Sequence, residues 1–222
     1  MSTSTRWTVA VMVIVVALGV ALWTQLGEER SPTGSIGSGQ ARDRRDADTA
    51  EALAGPRARA DLPPCPAGTG PGPEQLSPDL RSWAHGITLE CAGDGASVDV
   101  AEAVAGRPTV LNLWAYWCGP CAQELPAMAE YQRRAGSAVT VLTVHQDENE
   151  EAALLRLADL GVRLPTLQDG RRLIAAALRV PNVMPATVVL RADGSVAEVL
   201  PRSFASADEI AAAVDPKIGA SG

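Results

Sequence analysis

The stretch Thr109-Val-Leu-Asn-Leu-Trp-Ala-Tyr-Trp117-Cys118-Gly119-Pro120-Cys121 decides the fold, because a β-branched and aliphatic run ends at two thiols three positions apart. Pro126 and an Ala/Leu/Met pattern follow, which suit a helix with an early kink. The order is strand, turn, helix. If that helix starts near Cys118, the thiol sits at its exposed N-terminal end, where unpaired N–H groups and the macrodipole favour a thiolate. Cys118 is then the nucleophile. Cys121, one turn further in, is placed to attack a mixed disulfide on Cys118 and release the reduced partner. Pro120 fixes φ without stranding an N–H in the first turn, and Gly119 leaves room for a partner backbone.

A Cys-x-x-Cys pair is also half of many zinc sites. A zinc ribbon needs a second ligand pair, and the chain offers only the isolated Cys65, Cys91, His85 and His145. Redox chemistry is therefore preferred over structural zinc or inert buried thiols, and neither a metal nor a cofactor is expected. Working outward, 222 residues hold one ordinary domain plus extensions. With 26 acidic against 19 basic residues, a net charge of −7 and no basic stripe, nucleic acid is excluded as a partner. Aromatic residues make up 4%, so the core must be built mainly from Ala, Val and Leu.

From Thr8 to Leu22 there is no charge, and Trp7 and Trp23 bracket the run as interfacial aromatics do. Its length, about 25 Å as a helix, is at the short end for crossing a bilayer. Residues 1–26 are expected to be a single-pass anchor, with Arg6 holding the N-terminus in the cytoplasm and the rest of the chain outside. The alternative is a signal peptide cut after Gly19-Val20-Ala21, which would leave a secreted protein. Both readings put the cysteines in an oxidising compartment.

Residues 27–61, rich in Gly and Ser and then in mixed charge, read as a flexible linker with at most a short helix around Asp48 to Leu53. Residues 62–86 form an extension tied down by a Cys65–Cys91 disulfide, the economical pairing for an exported chain with an even cysteine count. Closing that loop is worth about 3.5 kcal/mol. A second redox pair relaying electrons to Cys118, or a free thiol, is the alternative. Within the loop, Trp83 is expected to pack on the domain and His85 to be solvated.

Residues 87–216 then read as one α/β domain, with 217–222 a tail. Ile87 to Cys91 and Ser97 to Val100 make a hairpin across Gly93-Asp94-Gly95, and Ala101 to Ala105 one helical turn. Ala138 to Val144 is a second buried strand. Asp147 to Glu150 offers a capping-box start for a helix ending at Leu160, Val162 to Leu167 a short strand, and Arg171 to Leu178 another helix. Ala186 to Leu190 and Val196 to Leu200 form a hairpin. Ser206 caps a closing helix that Pro216 is expected to stop.

In this order the pieces LNLWAYWCGPC (111–121), Pro126 and VMPATVVL (183–190) resemble the thioredoxin fold, a central mixed sheet flanked by helices, over roughly residues 87 to 216. The anchor, the N-terminal β-hairpin, Glu124 after the second cysteine and the long passage from Val144 to Pro185 resemble the TlpA/ResA-like, membrane-anchored, extracytoplasmic branch. Glu150 to Leu167 matches the αβ insertion that this branch carries before its cis-proline. The resemblance implies that Pro185 is cis and packs beside the dithiol, leaving the backbone of Met184 free for an extended partner strand. It implies that Glu124 exchanges protons with Cys121, because Asn112 stands where thioredoxin keeps a buried aspartate. Asn112 itself reads as a hydrogen-bonded core amide. Trp117 and Tyr116 flank Cys118, Trp117 as a flat contact surface for partners. Trp114 reads as core and His145 as a solvated or capping histidine, with a place near the active face as the alternative.

The expected function is that of an extracytoplasmic thiol-disulfide oxidoreductase acting through its CGPC dithiol. The resemblance tilts it toward reduction of protein disulfides, for example in apocytochrome c, as a monomer with an unidentified membrane electron donor or acceptor. An oxidative-folding oxidase or isomerase is the runner-up. From a different class, a copper-binding chaperone would use Cys118, Cys121 and His145, but the copper-carrying relatives space their cysteines by three residues. A peroxidase is disfavoured because its relatives place a Thr before the reactive cysteine.

Overall fold

The computed structural model describes residues 48–67 and 77–219. The expected anchor, the linker as far as residue 47 and the cleavage site at Ala21 lie outside the described residues. Among the described residues no helix is long and apolar enough to cross a membrane.

β3 (Thr109–Trp114) is the centre of the sheet, and all six of its side chains are buried. A strand covered on both faces reads as a near-continuous apolar run, here interrupted only by Asn112 after the opening Thr109. It pairs in parallel with β4 (Thr140–His145), which pairs in parallel with β5 (Thr166–Gln168). On its other side it runs antiparallel to β6 (Ala186–Leu190), which forms a hairpin with β7 (Val196–Leu200). The hairpin β1 (Thr88–Cys91) and β2 (Ser97–Asp99) joins through β5, giving seven strands in the order β2-β1-β5-β4-β3-β6-β7. The expected strands are all present, each within a few residues of its expected bounds.

Of the helices, α1 (Ala50–Ala60), α2 (Pro78–Trp83) and α3 (Val100–Val104) precede β3, and α4 (Gly119–Ala135) follows it. Between β4 and β6 lie α5 (Glu150–Leu160) and α6 (Leu173–Ala177), and α7 (Ala207–Ile218) closes the chain. One face of the sheet packs Val110, Trp114, Val141 and Val189 against Leu125 and Met128 of α4 and Ile210 and Val214 of α7. The other packs Leu111, Leu113, Leu142 and Val188 against Leu80, Trp83 and Ile174. In α4 the buried residues Cys121, Glu124, Leu125, Met128 and Tyr131 recur at helical spacing, so the first turn is held by the same face that anchors the helix.

Three expectations are corrected. The linker reading fails over its last third, where α1 is a helix capped by Thr49, with Leu53 and Ala60 buried in a cluster with Ala92 and Leu154. Charge density misled here, because those charges have partners. Arg57 pairs with Glu90 and, at 3.0 Å, with the buried Glu150, while Arg59 reaches Asp159 at 2.7 Å. Pro216 does not stop α7, which runs on to Ile218. A proline so near the end forfeits only one bond of the final turn. The cap of α5 is Asn149, whose side chain accepts from Ala152 N–H at 3.0 Å. Asp147 supports that cap by accepting from Asn149 N–H.

The Cys65–Cys91 disulfide is formed, with Cα atoms 5.8 Å apart. As expected, Trp83 is packed, its indole donating to Gly194 O at 3.2 Å, and His85 is exposed. Gly194 has φ +76 in the β6–β7 turn, and a Cβ there would strike the side chain of Leu80.

Candidate active site

Cys118 is the N-cap of α4, and its Sγ accepts from Cys121 N–H at 3.2 Å. A sulfur in that position faces the unpaired amides of the first turn, where negative charge is stabilised. Cys118 and Cys121 are joined in a disulfide, Cα atoms 5.2 Å apart. The order of access is the expected one, since Cys121 is fully buried and Cys118 retains 6% exposure. The expectation of an openly exposed Cys118 is corrected, however. It belongs to a buried cluster with Trp114, Leu125 and Phe204, so tertiary packing covers most of the residue.

Leu113 lies opposite Ala186 in the β3–β6 ladder, so the end of β3 that leads into Cys118 lies beside the residues that open β6. There the Met184–Pro185 bond is cis. Met184 packs against the cluster that contains both cysteines. No backbone hydrogen bond occupies its N–H or C=O among the described residues. Trp117, 56% exposed, and Val183, 45% exposed, are the large apolar side chains left open among the described residues, and both sit in segments leading to this site.

Glu124 lies one turn beyond Cys121 on the buried face of α4 and is fully buried. Its carboxyl accepts from Asn112 Nδ2 and from Phe204 N–H, each at 3.2 Å. Burial raises its pKa to about 7, against the lowering effect of those two bonds and of Arg202. Asn112 is the core amide that was expected, although its Oδ1 has no partner. A carboxyl that is half ionised near neutrality can take and return a proton, which a group fixed in either state cannot.

His145 departs from its solvated reading: it is fully buried. Trp114 lies against it, ring centroids 4.9 Å apart, and burial holds its pKa below the ordinary histidine value. Tyr116 N–H donates to its Nε2 at 3.3 Å and its Nδ1 lies 2.8 Å from Gln168 Oε1, which fixes the neutral Nδ1–H form. Arg156 donates to Tyr116 O at 3.2 Å, and the Trp117 indole donates to Asp147 Oδ2 at 3.0 Å. The loop that carries Cys118 is thus gripped by β4, β5 and α5. Sequence reading missed this grip, because its only signal was a histidine at the end of the strand beside β3.

The Redoxin family profile matches residues 72–210. The chain is 28% identical over 108 residues to the thiol-disulfide oxidoreductase ResA of Bacillus subtilis, covering 48% of this chain and 59% of that protein. It thus spans about three-fifths of the length of the curated relatives it matches. Among solved structures it resembles a secreted disulfide oxidoreductase of Mycobacterium tuberculosis homologous to DsbE of E. coli, with 25% identity and a TM-score of 0.53 over 63% of this chain and 99% of that one. It also resembles a DsbF homologue from Corynebacterium diphtheriae, with 28% identity and a TM-score of 0.51 over 59% of this chain and 83% of that one.

Proposed function

The chain belongs to the Redoxin family, and on that footing we propose that it is an extracytoplasmic thiol-disulfide oxidoreductase acting on protein disulfides. The observation that carries this is a disulfide closed across the first turn of α4, with the outer sulfur capping the helix.

In the reducing direction, the Cys118 thiolate attacks a substrate disulfide. One Cys118–substrate bond forms, the substrate S–S bond breaks, and the first substrate sulfur leaves as a thiolate that takes a proton from water. Cys121 then gives its proton to Glu124 and attacks Cys118 Sγ. The second substrate sulfur leaves, also to be protonated, and the Cys118–Cys121 disulfide remains. Two electrons pass to the substrate, so each turnover requires a dithiol donor to reset the pair. Met184 and the Pro185 turn receive the substrate as an added extended strand, with Trp117 as contact surface. Cys65 and Cys91 remain structural. The TlpA/ResA resemblance supports the reducing direction and a membrane anchor in residues 1–26.

The test is Cys121→Ser in the producing cells. Mixed disulfides on Cys118 are expected to accumulate and to be identifiable by mass spectrometry, and a Cys118→Ser control should lack them. Their absence from Cys121→Ser refutes the assignment. The resting redox state of the pair decides direction, a mainly reduced pool supporting reduction.

A further inference from the structure

A pocket of about 350 Å³ lies beside α6, lined by Arg171, Arg172, Arg179 and Asn182 over a floor that includes Ala175 and Val180. From these residues we infer that the pocket takes an acidic segment of the protein substrate whose disulfide is being exchanged. The inference rests on the proposed function and names the chemistry of the partner.

Its position comes from the sheet order. In β5-β4-β3-β6, the segments following β3, β4 and β5 and the one preceding β6 all emerge at the same end of the sheet. The first carries Cys118, the third carries Arg171 and Arg172, and the last carries Arg179, Asn182 and Met184. A hydrogen bond ties the pocket to this end. Arg172 donates from Nε to Gln146 Oε1 at 3.2 Å and from a terminal nitrogen to Asn182 Oδ1 at 2.7 Å. Asn182 is followed directly by the exposed Val183, so a chain laid along Met184 passes the mouth of the pocket.

Its chemistry comes from the arginines. Arg171 and Arg179 are exposed and make no ion pair among the described residues, whereas Arg57, Arg59, Arg133, Arg134, Arg163 and Arg202 all do. Asp169, the acid nearest in sequence, turns inward and spends its oxygens on Leu173 N–H at 2.8 Å and Ile174 N–H at 2.9 Å. Its field still reaches Arg171. Arg172 and Arg179, at the two ends of α6, both hold left-handed backbone, φ 58 and φ 52, which arginine adopts rarely and which clusters at functional sites. The chain as a whole is negative at −7, so it repels acidic partners at long range. Screening limits that repulsion to about 8 Å at physiological salt, and inside that distance the guanidinium groups set the sign. They present paired donors that match carboxylates.

The test uses the full-length protein and two peptides that differ only in the residues flanking a disulfide, Asp/Glu in one and Asn/Gln in the other, together with Cys→Ser versions of each. Binding of the Cys→Ser peptides is followed by fluorescence anisotropy and exchange with the disulfide peptides by stopped flow. The acidic peptide is expected to bind about tenfold more tightly at low salt, with the preference shrinking as salt is raised. Arg171→Ala combined with Arg179→Asn, which tolerates left-handed backbone, should bring the two affinities within twofold. Equal affinities in the unmodified protein, or a preference that survives the double substitution, overturn the inference. Exchange at equal rates with both peptides leaves the proposed function standing and the pocket assignment refuted. An acidic preference in binding with no exchange on either peptide has the opposite meaning.

Discussion

His145 and Tyr116 are joined by a hydrogen bond from the Tyr116 N–H to the imidazole Nε2, at 3.3 Å, behind the loop that delivers Cys118. Burial opposes charging His145, against the favouring effects of the Gln168 hydrogen bond and Asp147, and a proton on Nε2 would set two donors face to face. The folded protein therefore keeps His145 neutral at pH values where the unfolded chain binds a proton, below about 6.5. The stability it contributes is complete above that value and is lost as pH falls toward the lowered folded pKa. His145→Phe should destabilise by about 2–4 kcal/mol through the two stranded partners. It should also flatten the acid-side loss in urea unfolding as pH falls below about 6.5. An unchanged acid slope would show that His145 is not the titrating group.

Glu124 acts with the opposite sign. Its pKa is raised to about 7, so the fold favours the protonated acid, and stability falls as pH rises from about 4.5 through 7. The loss is on the order of 3 kcal/mol. Glu124→Gln can still accept from Phe204 N–H and can donate to Asn112 Oδ1 once that amide turns over. The variant is expected to be more stable than the parent at pH 8 and no more stable below pH 4.5. Resolution of the mixed disulfide should slow about tenfold to a hundredfold and lose its pH dependence near neutrality. A resolution rate that keeps its inflection in the variant assigns the proton to another group.

Removing the second disulfide separates its roles. Cys65→Ser with Cys91→Ala opens a loop of sequence separation 26 and should cost about 3.5 kcal/mol of stability. Exchange rates at 25 °C should stay within twofold of the parent. A large loss of rate in a folded variant would instead mark the pair as an electron relay.

Arg57 fastens α1 to the sheet and to α5 through Glu90 and Glu150. Burial already raises Glu150 to a pKa of about 7, with Arg57 acting against the rise. Arg57→Ala should therefore cost about 3 kcal/mol at pH 8, where it leaves a buried charge unpaired. The cost should shrink at pH 5, where Glu150 is protonated. Denaturant unfolding at the two pH values measures the difference, and equal costs would mean that Glu150 is solvated through another route.

What could be read from the letters was whatever local chemistry determines. The strand before Cys118, the turn Ala192-Asp193-Gly194-Ser195 and the Ser206 cap each rest on neighbours within a few positions, and each forms as expected. α1 was obscured because Gly55 and Pro56 interrupt it and only Leu53 and Ala60 are buried. Its other partners are contributed by residues more than thirty positions away. The burial of His145 was hidden for the same reason, since Trp114 and Gln168 are remote in sequence and meet it only in the sheet. Pairing of the cysteines rested on an even count and an expected oxidising compartment, and both disulfides are formed.

The narrow opening at Cys118 has a consequence for the choice of client. With 6% of that residue accessible in the disulfide form, a partner cystine held rigidly below its own surface does not readily bring its sulfur into line for the proposed exchange. A polypeptide pliable enough to drape over the cleft does. In the exchange proposed above, clients with a pliable cystine-bearing segment are therefore favoured over rigid ones.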